Sequence, residues 1–121
     1  MLTTVAYQRS TVHTVSDVRA IADHAGSYFF ARGTMRFFSS RVMDGVYAVG
    51  GRDAVPGAVF YFVTSEVYGD APRHYAVRRL TLGTQRDNRP AVDIATVDTF
   101  DTLYRARSVA KEYARNGEDN A

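Results

Sequence analysis

Five short segments that favour β-strands, with turn-forming residues between them, are the feature that most limits how this chain can fold. β-branched and aromatic residues favour strands, whereas glycine, proline, aspartate and asparagine favour turns. The five segments are 35–42, 45–50, 58–65, 73–82 and 91–97. Because the connections are short, neighbouring segments are expected to pair in antiparallel fashion. The pattern therefore predicts an antiparallel β-meander of four to five strands.

The segment VFYFVT, residues 59–64, is apolar at both alternating sets of positions. Successive side chains of a strand point to opposite faces of a sheet, so both faces of this segment are apolar. That pattern is typical of a central strand. The next segment, HYAVRR at 74–79, alternates more regularly, with Tyr75 and Val77 on one face. We therefore expect 59–64 to lie at the centre of the sheet.

A first helix is predicted before the strands. It begins at TVSD, residues 14–17, which fits a capping box with Thr14 as the N-cap and Asp17 at the third helical position. Apolar residues then recur at helical spacing, and Gly33 is a suitable stop. The apolar stripe of this helix comprises Val18, Ile21, Ala22, Ala25, Tyr28 and Phe29.

A second helix is predicted after the strands, from Asp98 or Thr99 to about Arg115. Its core-facing stripe comprises Leu103, Ala106, Ala110 and Tyr113. The elements together predict an α+β fold, in which an antiparallel β-meander of four to five strands is flanked by an N-terminal and a C-terminal helix. We expect a single domain over residues 1–116 and a polar, frayed tail over residues 117–121.

Length and composition exclude several classes of protein. A chain of 121 residues holds one domain of ordinary size, and its lack of cysteine excludes disulfides and thiolate metal sites. No apolar run approaches the roughly 18 residues of a membrane helix, and the N-terminus lacks a signal-peptide pattern. We therefore expect a cytoplasmic protein that does not associate with membranes.

The stretch SYFFARGTMRFFSSRV, residues 27–42, combines five aromatic residues with three arginines. Such a mixture can form a stacking platform for nucleic acid, or it can mark a helix end that runs into a buried strand. We favour the second interpretation, with Arg32, Arg36 and Arg41 on the solvent side or at element ends. The predicted core residues are Phe29, Phe38, Tyr61 and Leu103.

Four phrases of the sequence resemble a family of small uncharacterised proteins encoded by bacteriophages and plasmids. They are FFARGTMRFFSSRV, YFVTSE, RHYAVRRL and DIATVDTFDTLYRARSVAKEYA, and the likeness extends over residues 18–114. Members of that family share the patterns F-F-x-x-x-T-M-R-F-F-x-S-R, Y-F-V-T-S-E and R-x-Y-x-V-R. The resemblance implies a small accessory protein of a mobile element, without an assigned activity, in the cytoplasm of a host bacterium.

The titratable and nucleophilic residues form no catalytic or metal-binding motif. The sequence has no G-x-S-x-G motif, and His13, His24 and His74 lie far apart without the spacing of metal ligands. Asp98 and Asp101 are three apart at the predicted start of the second helix, where carboxylates commonly stabilise the helix dipole. We therefore expect no enzymatic activity, no cofactor and no metal ion.

Basic residues form the strongest polar cluster in the sequence. Three of them fall at successive fours on the predicted second helix, and three lie within the predicted strand 73–82. Clusters of this kind contact phosphates, although a net charge of +2 is too small to indicate a nucleic-acid partner by itself. The candidate binding residues are Arg73, Arg78, Arg79, Arg107, Lys111 and Arg115. They support nucleic-acid binding as the alternative function.

The apolar central strand favours a different function, which is protein–protein interaction. Two helices of this length are expected to cover only one face of the sheet, so Phe60 and Phe62 would form an exposed interface patch. Such a patch predicts contact with a host or phage protein, or a two-fold homodimer. The function predicted first is therefore that of a non-enzymatic accessory protein that acts through protein–protein contacts.

Overall fold

The computed structural model describes residues 11–37, 40–83 and 91–118, and within them it confirms the predicted α+β fold. One helix precedes an antiparallel sheet of five strands and another follows it. A short helix lies between the first helix and the first strand. The elements are α1 (Val15–His24), α2 (Arg32–Phe37), β1 (Arg41–Val42), β2 (Tyr47–Ala48), β3 (Val59–Glu66), β4 (His74–Leu82), β5 (Val92–Phe100) and α3 (Leu103–Asn116).

The sheet has β3 at its centre, as the sequence predicted, and its order is β1-β3-β4-β5. The short strand β2 also pairs with β3, and it lies along the same edge as β1 because β4 occupies the other edge over the full length of β3. The register changes by two residues between them, since Val42 faces Thr64 whereas Tyr47 faces Tyr61. β1 and β2 are therefore two halves of one interrupted edge strand.

Both faces of the sheet are covered. On one face, Phe60 and Phe62 of β3 pack with buried residues of α1 and with Phe30 in a first cluster. On the other face, Tyr61 and Val63 pack with Ala106 and Ala110 of α3 in a second cluster. The two helices thus lie on opposite sides of the sheet, and the turn after α1 completes the first side.

The expectation of an open sheet face at Phe60 and Phe62 is therefore wrong. Both side chains are fully buried within the chain, because α1 covers the face that α3 leaves free. A two-fold homodimer has no support from these two residues. It stays a prediction that sedimentation of the purified protein decides.

Helix α1 begins as predicted and ends earlier than predicted. Its capping box is present, since Asp17 N donates to Thr14 Oγ1 at 3.3 Å and Thr14 N donates to Asp17 Oδ2 at 3.0 Å. The helix ends at His24 because Gly26 adopts a φ of 82°, with Gly26 N bonded to the Asp23 carbonyl and Ser27 N bonded to the Ala22 carbonyl. This pairing is a Schellman motif. The predicted stop at Gly33 lies inside α2 instead.

The early end of α1 redirects the aromatic residues that follow. Tyr28, predicted to belong to the apolar stripe, is 82% exposed, whereas Phe30 is buried and Phe29 is half-buried against the first cluster. The predicted strand 35–42 is wrong over most of its length, because α2 continues to Phe37 and β1 contains two residues only. Phe38 lies outside the described residues, so its predicted burial stays a prediction.

Helix α3 begins later than predicted. The strand β5 continues through Asp98 and Thr99 to Phe100, which pairs with Tyr75 of β4, and Thr102 then caps the helix by accepting a hydrogen bond from Arg105 N. The predicted stripe of α3 packs on the sheet, with its two alanines fully buried and its two larger residues half-buried.

Candidate anion-binding cleft

The six basic residues predicted as candidate binding residues, three in the strand 73–82 and three on the second helix, occupy different environments. Arg78 and Arg79 are neighbours in β4, so their side chains point to opposite faces of the sheet. Arg73 lies just before β4. The remaining three cations lie on α3, which packs on the face of the sheet opposite to Arg78. No single surface therefore brings the six together.

Arg78 is part of a buried polar network rather than of a surface. It is 7% exposed, and its guanidinium forms an ion pair with Glu66, donates to Thr96 and donates to Thr64 Oγ1 at 2.9 Å. The guanidinium carbon also lies 5.2 Å from the centre of the Phe29 ring. These contacts satisfy its charge inside the chain, so Arg78 is not available to an external anion.

The Glu66 carboxylate collects further donors around this ion pair. Tyr68 donates to its Oε1 at 2.9 Å, Ser40 donates to its Oε2 at 3.2 Å, and His74 Nε2 lies 3.7 Å from Oε1. The His74 ring also stacks on Tyr68 with 4.9 Å between the ring centres. The negative charge of Glu66 is therefore neutralised within the network by Arg78.

Arg79 is held on the other face by the end of the chain. Its Nη1 donates to Glu118 at 2.6 Å, and Tyr61 Oη donates to the same carboxylate at 2.6 Å. Burial and the hydrogen bond to Glu118 both raise the pKa of Tyr61. Burial opposes ionisation of Glu118, but its bonds with Tyr61 and Arg79 outweigh that effect and lower its pKa. The predicted frayed tail is therefore anchored at Glu118.

Four arginines converge on one cleft beside the first face of the sheet. The cleft has a volume of about 740 Å³ and opens to solvent between α1, the start of α2, β1 and the residue before β4. Its lining residues are Arg19, Asp23, Phe30, Ala31, Arg32, Met35, Ser40, Arg41 and Arg73. Among the described lining residues four cations face one carboxylate, so this part of the cleft carries a local excess of positive charge that attracts anions.

Two of these arginines are fixed by contacts and two extend into solvent. Arg19 Nη2 donates to the Phe30 carbonyl at 3.2 Å, and Arg73 Nη1 donates to Ser65 Oγ at 2.8 Å. Arg32 and Arg41 are exposed and form no ion pair with any residue that the structure describes. The cleft therefore has both positioned and available guanidinium groups, which are the usual side chains for contacting phosphates.

The floor of the cleft does not cancel this charge. Ser40 lines the cleft and donates to Glu66, but the Glu66 carboxylate is already paired with Arg78 beneath it. Of the described residues that line the cleft, Asp23 is the one acidic residue that an anion would meet, and it is exposed and screened by water.

Sequence reasoning identified one of the four cleft arginines, Arg73, as a binding residue. Arg32 and Arg41 were noted within 27–42 but were assigned to the solvent side of core elements, and Arg19 was passed over. The signal in the sequence that points to Arg32 and Arg41 is the mixture of arginines and aromatic residues in 27–42. Arg36 is also within that stretch, and its side chain lies outside what the structure describes.

The described residues contain no group of three or more histidine, aspartate or glutamate side chains arranged to hold a metal ion. Asp98 lies within β5, so it does not form the predicted carboxylate pair with Asp101 at a helix start. No helix in the described parts of the chain has the length and apolarity needed to cross a membrane.

Comparison with known proteins gives a family but no activity. No curated protein and no solved structure is significantly similar to the chain. The model of a family of unknown function, DUF7447, matches residues 14–115, and its description names no ligand or origin. The bacteriophage or plasmid source implied by the sequence resemblance therefore stays a prediction. Because the match extends over most of the 121 residues, the chain belongs to the DUF7447 family of unknown function.

Proposed function

We propose that this protein binds single-stranded nucleic acid through the arginine-lined cleft. The observation that carries the proposal is the convergence of Arg19, Arg32, Arg41 and Arg73, from four separate parts of the chain, on one opening. Proteins that bind single strands combine a positively charged groove for the backbone with aromatic side chains for the bases. The cleft supplies the first of these features.

An exposed tyrosine that is close in sequence to a cleft residue is the candidate for the second. Tyr28 is 82% exposed and lies two residues before Phe30, which lines the cleft. A large ring held in solvent gains nothing for folding, whereas base stacking on such a ring contributes about 1–3 kcal/mol per base. An extended single strand can follow an open, positively charged groove of this kind.

Contact with proteins, which the sequence favoured, has less support. The interface residues expected for it, Phe60 and Phe62, are inside the chain. A host or phage protein partner stays a prediction. A non-enzymatic role in the cytoplasm of a host bacterium stays part of the proposal.

The test is binding of a labelled 12-nucleotide single strand, as DNA and as RNA, measured by fluorescence anisotropy over a range of salt concentrations. Each phosphate contact on a single strand adds about −0.7 to the slope of log K against log salt, so four contacts predict a slope of about −3. We expect Arg32→Glu with Arg41→Glu to remove about half of that slope and to weaken binding at least about tenfold at low salt.

The matched control is Arg105→Glu, which reverses an exposed arginine on α3 outside the cleft. The proposal requires the paired cleft variant to lose much more affinity than this control. Tyr28→Ala should weaken binding without changing the salt slope, because stacking involves no counterion release. Absence of binding at low salt, or equal losses in the cleft variant and the control, would show that the cleft is not the site.

A further inference from the structure

A second basic surface follows the exposed side of α3. Arg107, Lys111 and Arg115 are four residues apart, so their side chains project from one side of the helix about 6 Å apart along its axis. Tyr104, 82% exposed, precedes them in the first turn. We call these four residues the α3 ridge.

Two shallow grooves adjoin the ridge and share one of its residues. A groove of about 430 Å³ lies beside Tyr104, Arg107 and Lys111, and a groove of about 380 Å³ lies beside Lys111, Arg115 and Arg52. Since Lys111 lines both, the two grooves are neighbours along the helix. An extended chain fits two neighbouring grooves better than a compact ligand does.

The ridge cations are not neutralised by carboxylates within the described residues. Arg107 Nη2 reaches the Asp44 carbonyl at 3.2 Å, and Lys111 Nζ lies 5.8 Å from the centre of the Tyr47 ring. Stabilisation of the helix dipole accounts for a cation in the last turn, such as Arg115, but not for Arg107 in the middle of the helix. A ridge of cations with an exposed ring at one end matches the pattern of single-strand binding surfaces.

The α3 ridge and the cleft lie on opposite sides of the sheet. The cleft is built from α1 and the segment after it, which cover Phe60 and Phe62, whereas α3 covers Tyr61 and Val63 on the other face. One short segment of ligand cannot occupy both surfaces, because the sheet and its two packed layers separate them. Two segments can bind at the same time.

We propose that the α3 ridge is a second site for single-stranded nucleic acid and that one protein chain therefore bridges two strands. The ridge site stands on its own observations, whereas bridging rests also on the function proposed for the cleft. Bridging distinguishes this protein from a simple single-strand coat, since it brings two strands together without requiring the protein to dimerise.

The experiment uses two non-complementary 12-nucleotide strands, one with a donor fluorophore and one with an acceptor, mixed with the full-length protein. Energy transfer reports bridging, and anisotropy of either strand alone reports binding. We expect transfer to rise with added protein and then fall in protein excess, where each strand has its own protein. Arg107→Glu with Lys111→Glu should reduce the transfer at least tenfold while leaving a strand bound in the cleft.

Three variants separate the possible failures. Arg107→Gln with Lys111→Gln removes the charges without reversing them and should give the same loss of transfer if the reversed variant folds poorly. Strand binding that depends on Arg32 and Arg41, without energy transfer at any ratio, would overturn bridging and leave the cleft in place. Transfer that persists in both ridge variants would also overturn it, since a protein dimer would then be the bridge. Strand binding lost in the ridge variants but not in the cleft variant would overturn the cleft proposal and with it bridging.

Discussion

Replacement of Arg78 by methionine should destabilise this protein more than almost any other single change to a polar residue. The Arg78 side chain is 9% exposed, and the Glu66 side chain paired with it is 8% exposed. Without Arg78 the carboxylate remains in the interior without its main counter-charge. Breaking a buried ion pair by removing one partner costs about 3–5 kcal/mol.

A second loss adds to the first. Thr64 is fully buried, and Arg78 Nε donates to its hydroxyl at 2.9 Å, so the variant leaves that hydroxyl without this donor. The added cost is about 1 kcal/mol. Because a domain of this kind is stable by about 5–15 kcal/mol, Arg78→Met should remove a third or more of its stability. The melting temperature should fall by roughly 15–25 °C.

Urea denaturation at pH 7, followed by far-UV circular dichroism, measures the change, with an unchanged m-value as evidence that the folded state is intact. Arg105→Met is the control, because Arg105 is exposed and has no carboxylate partner among the described residues. It should change the stability by less than about 1 kcal/mol.

The double variant Arg78→Met with Glu66→Leu tests the cause. It removes both charges, so its loss should be clearly smaller than the sum of the losses in the two single variants. Tyr68, half exposed, can donate to water when Glu66 is gone. A single variant within about 1 kcal/mol of the parent, or strict additivity in the cycle, would mean that the pair is solvated and that this reasoning is wrong.

Two further predictions concern Glu118 and the turn at Gly45. Glu118→Gln should cost about 1 kcal/mol at neutral pH and much less at pH 3. The reason is that a carboxyl with a lowered pKa adds stability above about pH 5, and this stability is lost as the pH falls through the folded-state pKa. Thermal melts at both pH values check this, and an equal cost at both would contradict it. Gly45→Ala should cost about 1–3 kcal/mol, since Gly45 has a φ of 109° and a Cβ there would lie 2.7 Å from Tyr47 Oη. The control Gly33→Ala, which meets nothing within 4 Å in α2, should be neutral or stabilising, and the interpretation fails if the two variants melt alike.

The strands that could be predicted from the sequence are those in which the local preference of the residues and the tertiary packing favour the same structure. β3 and β4 were placed within one residue of their observed ends because apolar runs and turn residues coincide there. The boundary of β5 was misjudged because Asp98 and Thr99 are good helix-capping residues, and pairing with β4 overrides that preference. Thr102 has the same capping chemistry four residues later, and sequence alone does not rank the two positions.

The site was less predictable because it is made of residues that are distant in sequence. Adjacent arginines such as Arg78 and Arg79 suggest a cluster, yet a period of two places them on opposite faces of a strand. That separation could have been deduced. The convergence of Arg19, Arg41 and Arg73 could not, because it depends on the Schellman turn at the end of α1 and on the packing of that helix over the sheet.

The stretch 27–42 contains both a core aromatic residue and arginines that line the cleft. Phe30 packs against Phe62 with 5.8 Å between the ring centres, so this aromatic residue of the stretch is core. The Arg19 guanidinium lies 5.6 Å from the centre of the same Phe30 ring and also donates to the Phe30 carbonyl, which ties α1 to the start of α2 across the cleft. The buried ring therefore holds Arg19 in place at the cleft wall, and for the binding proposed above such preorganisation would lower the entropy lost. Arg32 and Arg41 are left to provide charge at no cost to packing.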